Sequence, residues 1–583
     1  MTKSQLSRFF ALALALVGLL PLVAAGAAAV SPSATSPPAL MPGLPSGTNS
    51  AYLPILAGHP TFGTDLQYGV VFISSAEAPA DSQQYQNGLS LNPEWNRYPL
   101  YWFHIETNPG LFDWSAQDVV VQGDVSHNLR TNAILLGTPS FYTTGAPEYD
   151  PDDPPSRGSL ILTKPQTATP VGLYDPIFTD GSDIPGPGKS INPNNVWARF
   201  VFTAVNRYKP GGVLAQTNGW PPDKGITHWE MWNEADLSFF WDGTTADYAR
   251  LLKVGYLALQ QADPGAQVLF GGLANNFNNL NFYADILNIY SADPLAASFD
   301  YFHDILATHS YSYAFQSWFH VDRAINAQQT HGFTKPIWLN ENGVPAWDDY
   351  PGPVWDPSSG LRATQLEQAY YLIQSAFYAV YGGAEAIFQF QLYDGCGNQP
   401  AGTNFPPHNG ELCDENGRLI TNPDFPCAGD AYGLFRNPAD ALCFSQHPQP
   451  ETPRHATASF KVLANNFDYV EPYWWVRRGG SDPNNGTQEW IAFYRPDTKE
   501  RIIGMWALYG NDETAVLPAT AASARLLFPN GTSQTIFPTN GQYTLQLPGA
   551  TNQNAPWDPN LYMIGGRPLI LIELDPNRVG QPG

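Results

Sequence analysis

The stretch HWEMWNEAD, residues 228–236, runs bulky apolar side chains straight into an amide and two carboxylates. A second stretch, PIWLNENG at 336–343, does nearly the same and also ends a hydrophobic run on Asn-Glu. Only 14% of the 583 residues are charged, against roughly 25% in ordinary soluble domains. A carboxylate at the end of a buried-looking strand is costly there unless it has a partner or a task. Whether Glu234 and Glu341 can meet depends on the rest of the chain.

Between about 60 and 465, strand-like runs alternate with helix-like runs. The strand candidates are 68–73, 97–103, 131–137, 226–233, 267–272, 304–311, 336–341 and 386–393. VWARFVFTAVNRY and QLEQAYYLIQSAFYAVY carry apolar residues at helical periods, and TTADYARLLKVGYLALQQA opens with Thr244 and Asp247 at capping-box spacing. Eight short strands with intervening helices predict an α/β fold, a (β/α)8 TIM barrel, over 52–465. After about 466 the helices stop. EWIAFYR, RIIGMWALY, SARLLF, GQYTLQL and RPLILIEL are strands, and PNGT at 529–532 is a hairpin signal. These predict a C-terminal antiparallel β-sandwich domain over 466–577.

Reactive groups of such a barrel stand at the C-terminal ends of its strands. Glu234 ends the fourth candidate strand and Glu341 the seventh, which lie across the barrel mouth from each other. Two carboxylates can then face one bond, as glycoside hydrolysis requires: an acid for the leaving oxygen and a nucleophile for the sugar carbon. Glu230 shares the face of Glu234, and we read it as a structural carboxylate lower in the barrel.

Together these motifs resemble the retaining glycoside hydrolases of clan A, the 4/7 superfamily, and within it families 39 and 5. The resemblance spans most of the chain beyond residue 52. It implies Glu234 of WNE as acid/base, Glu341 as nucleophile and Asn233 as the holder of the sugar 2-hydroxyl. NRYPLYWFHIE followed by GLFDW is similar to the strand-two signature and puts its arginine on Arg97. ATHSYSY is similar to the strand-six His-x-Tyr motif, on His309 and Tyr311, whose tyrosine binds the nucleophile. Two departures stand out. Ala235 replaces a common proline, and strand eight reads FQFQLYDG where the clan has a tryptophan, so Gln391 or Tyr393 is expected to take that place. Trp102, Tyr142, Trp347, Tyr350 and Trp355 are candidate platforms for sugar faces.

The surroundings fit an exported protein. Residues 1–30 read as a signal peptide, with Lys3 and Arg8 before an apolar run, and 31–51 as a Ser/Pro/Ala-rich linker. The alternative is an uncleaved membrane anchor. Cys396, Cys413, Cys427 and Cys443 cluster after the last barrel strand and suggest local disulfides, most simply Cys396–Cys413 and Cys427–Cys443. They contain no Cys-x-x-Cys pair, which argues against a zinc site. The net charge of −24 disfavours nucleic acid and anionic lipid. The expected partner is a carbohydrate, with no cofactor and no metal. The alternative from another class is a non-catalytic carbohydrate-binding protein on the same barrel.

Overall fold

The structure, a computed structural model, describes residues 65–580 except 144–165, 239, 312, 347, 350–362, 395–417, 420–421, 427–431, 437, 439–448, 480–485 and 553–561. Trp347, Tyr350, Trp355, the four cysteines and the signal and linker segments lie outside the described residues. Eight strands close a parallel barrel: β1 (Gln67–Val71), β2 (Trp95–Tyr101), β3 (Arg130–Leu136), β4 (His228–Met231), β5 (Gln267–Leu273), β6 (Ile305–Ser310), β7 (Ile337–Asn342) and β8 (Ala384–Gln389). Neighbours in space follow chain order, and β1 closes the ring by pairing with both β2 and β8. The strands are buried almost throughout, because the barrel interior covers one face and helices the other.

A helix of eight residues or more follows each strand: α1 (Ser82–Leu89), α2 (Ser115–Ser126), α3 (Val196–Tyr208), α4 (Thr245–Ala262), α5 (Phe282–Ser291), α6 (Gln316–Thr330), α7 (Gln365–Gly382) and α8 (His455–Asn466). Thr244 and Asp247 form the capping box of α4, and Thr364 and Glu367 form another on α7. No helix among the described residues is long and apolar enough to cross a membrane.

The barrel floor is aromatic. Trp95 packs edge-on against His228 at 4.7 Å and Trp338 at 4.9 Å between ring centroids. Burial and the nearby Arg130 charge push the His228 pKa down to about 3, so it is a neutral packing residue. With the floor plugged, the usable space is at the strands' C-terminal ends.

Among the described residues beyond α8 there are eight more strands: β9 (Glu471–Arg478), β10 (Gln488–Arg495), β11 (Glu500–Ala507), β12 (Glu513–Pro518), β13 (Ala524–Leu527), β14 (Ser533–Ile536), β15 (Gln542–Leu547) and β16 (Leu569–Leu574). Six of them form an antiparallel sheet in the order β9-β10-β11-β16-β13-β14, while β12 pairs with β15. The two sheets enclose a core that includes Trp490, Met505, Leu517, Leu545 and Leu571. The opposite face of the large sheet, with Ile491, Phe493 and Trp506, joins the core that continues into the barrel helices. The large sheet is therefore covered on both sides.

Candidate active site

The route from β4 to Glu234 breaks the rule of alternating faces. In a regular strand Glu230, Trp232 and Glu234 would share one side. Here Trp232 and Glu234 adopt left-handed backbone, with φ of 73° and 45°, a rare conformation for bulky residues. Trp232 turns outward instead, onto Trp197 and Trp241, and its indole N–H donates to the Phe240 carbonyl at 2.9 Å. It is thus part of the outer packing layer and does not wall Glu234. The Glu234 backbone N–H is tied to the Gly272 carbonyl on β5 at 2.8 Å.

Arg97 organises the layer beneath. It is fully buried and grips Glu230 with two hydrogen bonds of 2.8 Å. Its Nη2, one of the two nitrogens on Glu230, also donates to the Asn233 side-chain oxygen at 3.0 Å, and its Nη1 reaches Glu341 Oε1 at 2.5 Å. Glu230 also accepts from Asn340 at 2.9 Å and from the Gly272 N–H at 2.8 Å. With its oxygens committed to these partners at full burial, Glu230 is positioned to neutralise Arg97 rather than to react.

Glu341 receives Arg97 on one oxygen and the Tyr311 hydroxyl on the other. His309 stands beside it in register across the β6–β7 pair. The Nδ1 of His309 lies 2.7 Å from Glu234 Oε1 and 3.5 Å from Glu341 Oε2. The remaining ring nitrogen, Nε2, is buried with no hydrogen-bond partner among the described residues. His309 therefore contacts both carboxylates through Nδ1, while Nε2 packs beside Gly272.

The two glutamates differ electrostatically although both are buried. Burial is the largest influence on each and raises a carboxyl pKa. At Glu234 burial prevails, aided by the charges of Glu341 and Asp236 and opposed by His309, so the pKa lies above its ordinary value. At Glu341 burial is overridden by the charges of His309 and Arg97 and by hydrogen bonds from Tyr311 and Arg97, so the pKa lies below. The His309 pKa is raised: burial opposes its charge, but Glu341 and Glu234 outweigh burial.

One oxygen each of Glu234 and Glu341 and a ring nitrogen of His309 all lie within 4.8 Å of one another. That trio is a formally acceptable metal-ligand set. A cation there would sit against the Arg97 guanidinium, and Glu341 already has Arg97 and Tyr311 on its oxygens. The donor set fits proton chemistry better than metal binding.

The structure gathers Arg97, Asn233, Glu234, His309, Tyr311 and Glu341 at one place. It removes Trp102. That indole is fully buried, stacks on Phe200 at 5.0 Å between ring centroids, and donates to Glu106 at 2.6 Å. Immediately after β2 the chain turns into a short helix, Trp102–Ile105, which directs the ring under α3 instead of over the mouth. Tyr142 joins the same Glu106 network through its hydroxyl at 2.8 Å. Strand eight also differs from expectation. Phe390, not Gln391 or Tyr393, packs edge-on against Tyr311 at 5.6 Å. Tyr393 packs on Phe435, and its hydroxyl accepts from Asn87 at 2.8 Å. Gln391 is buried, with its side-chain nitrogen unpartnered among the described residues.

Two contributors were not singled out in the sequence. A Cβ on Gly272 would lie 2.0 Å from His309 Nε2, so only glycine leaves room for that ring. Asp236 accepts from the N–H groups of Ala274 at 3.0 Å and Asn276 at 2.9 Å, stapling the loop after β4 to the loop after β5. The paired glycines of QVLFGG and the second carboxylate of NEAD were the available signals.

No protein-family model matches the sequence, and no curated protein does. Solved structures do. A family 39 glycoside hydrolase from the gut symbiont Bacteroides cellulosilyticus WH2 is 14% identical, overlapping 87% of this chain and 81% of its own, with a TM-score of 0.51. A monomeric beta-xylosidase from Caulobacter crescentus CB15 is 14% identical over 89% of this chain and 98% of its own, with a TM-score of 0.48. A glucosidase from Croceicoccus marinus is 12% identical over 89% and 97%, with a TM-score of 0.47. At such identities the likeness to the family 39 structure concerns the fold. The closed parallel barrel with flanking helices is an architecture that this chain shares with a glycoside hydrolase.

Proposed function

We propose that this protein is a retaining glycoside hydrolase that cleaves an equatorial glycosidic bond, of the β-D or α-L-arabino type, in an oligo- or polysaccharide. One observation carries the reading. Two carboxylates at the ends of β4 and β7, with oxygens within 4.8 Å, are biased in opposite directions, Glu234 toward its protonated form and Glu341 toward its ionised form. Retaining glycosidases place their carboxyl groups about 5–5.5 Å apart, too close for a water between nucleophile and sugar. Glu341 attacks the anomeric carbon and forms a glycosyl ester while Glu234 protonates the departing oxygen. Glu234 then takes a proton from the incoming water, and the second displacement restores the configuration. Asn233, whose oxygen is held by Arg97, keeps its NH2 for the sugar 2-hydroxyl. Export by the signal segment and two disulfides within 396–443 belong to the same proposal. The non-catalytic alternative would not need this opposed pair.

The test is stereochemical. NMR of the first product should show the substrate's anomeric configuration, and a 2-deoxy-2-fluoro glycoside should label Glu341. An inverted product, or a label on Glu230, overturns the assignment.

A further inference from the structure

Three aromatic side chains among the described residues are largely exposed: Tyr174 at 62%, Phe277 at 74% and Phe537 at 73%. Isolated exposed apolar residues are ordinary. Tyr174 has a polar tip, and that tip donates to Asp247 at 2.7 Å. Phe537 lies just after β14, in the β-domain. Phe277 has no polar atom to satisfy, and its position is informative. It opens the short helix Phe277–Asn279 in the loop after β5, on the reactive face.

That loop is held firmly. Asp236 binds the Ala274 and Asn276 N–H groups, and the Asn276 side chain returns a hydrogen bond to the Asp236 carbonyl at 3.1 Å. On the other side the Asn275 amide donates to Thr308 Oγ1 at 2.9 Å. The ring thus projects into water from a backbone whose three preceding residues are tied to the neighbouring β4 and β6 ends. It is anchored through Asp236, two residues beyond Glu234.

The chemistry then fixes which part of a substrate it meets. This step rests on the hydrolase reading above. The acid/base must lie on the side where the leaving oxygen departs, because that oxygen receives its proton. We propose that Phe277 is a specificity-determining residue on the leaving-group side. Its face stacks on a sugar ring there, so the preferred substrates carry a saccharide, not a small group, beyond the scissile bond. An aromatic face offers large apolar area at low cost in side-chain freedom, which suits the C–H face of a sugar.

The test compares leaving groups of increasing size on one glycone: glycosyl fluoride, 4-nitrophenyl glycoside, and the xylo- and cello-hexasaccharides. For Phe277→Ala, kcat/KM on the hexasaccharide that is cleaved should fall about tenfold, mainly through KM, as expected for loss of one stacked ring. The loss should shrink for the nitrophenyl glycoside and be smallest for the fluoride. Phe277→Trp should retain the wild-type preference, and Phe537→Ala should resemble wild type. Equal losses on all leaving groups, or none on the hexasaccharide, would overturn the proposal while leaving the hydrolase reading intact. A wild-type protein that cleaves neither fluoride, nitrophenyl glycoside nor hexasaccharide overturns both.

Discussion

Glu341 is buried yet biased toward its ionised form, and that bias depends on groups that can be removed singly. Tyr311 donates to one of its oxygens. Hydrogen bonding to the charged form lowers a carboxyl pKa, so deleting the hydroxyl raises it. Activity as nucleophile needs Glu341 ionised and is lost as pH falls through its pKa. Tyr311→Phe should therefore move the acidic limb of kcat/KM to higher pH and leave the basic limb, set by Glu234, in place. The rate at the optimum should fall roughly 10- to 100-fold, the worth of one hydrogen bond to a charge. An unmoved acidic limb would refute the role. Gly272→Ala should act by geometry: its Cβ would meet His309 Nε2 at 2.0 Å and drive the ring from Glu234. We expect about a hundredfold loss of activity, typical of a misplacement near 1 Å, with circular dichroism unchanged. At this scale the sequence was legible where a charge interrupted an apolar run, as at Glu234 and Glu341. It was silent where backbone conformation set side-chain direction. Alternation directs Trp232 toward the site, whereas its positive φ sends the ring outward.

Elements were more readable than residues, for physical reasons. Parallel barrel strands are buried on both faces and appear as apolar runs bounded by turns, so all eight were visible. The hairpin at 529–532 announced itself through Asn-Gly: the Phe528 N–H meets the Thr532 carbonyl at 2.9 Å, and Gly531 takes a φ of 82°. In the β-domain the strands passed over were β9, β12 and β14. β14 is polar and exposed at the sheet edge, and β9 has no clean alternation because both its faces are partly covered. Contact between the large sheet and α7 was likewise invisible. It depends on Gly504 of β11, where a Cβ would stand 2.4 Å from the Phe377 ring. Gly504→Ala should overpack that contact and lower stability by about 1–3 kcal/mol. Urea denaturation measures the loss, and activity per folded molecule should be unchanged because the contact is remote from the barrel mouth. A variant as stable as wild type would show that the helix yields freely.

At the scale of the molecule, barrel and β-domain share a core. Phe377 packs on Phe493 at 5.2 Å, Trp318 and Tyr378 pack on Trp475 at 5.4 Å, and all are edge-on. A polar contact reinforces the join: Glu489 on β10, held within the β-domain by Trp475 at 2.6 Å and Arg477 at 3.0 Å, accepts from Tyr378 of α7 at 2.5 Å. Glu489 is fully buried, so separating the two parts would take the Tyr378 hydroxyl from a buried charge and expose several aromatic faces to water together. Inter-domain surfaces within a chain are usually smaller and more polar, and relative motion is then the default. Here the apolar continuity predicts cooperation. Scanning calorimetry of the whole chain should show one transition spanning both parts. A chain ended at Asn466 should fail to give a soluble, cooperatively melting barrel, because it lacks the sheet that covers α7 and α8. Two well-separated transitions, or a stable active product from the shortened chain, would mean that the shared core is only an accessory contact between independently folding units.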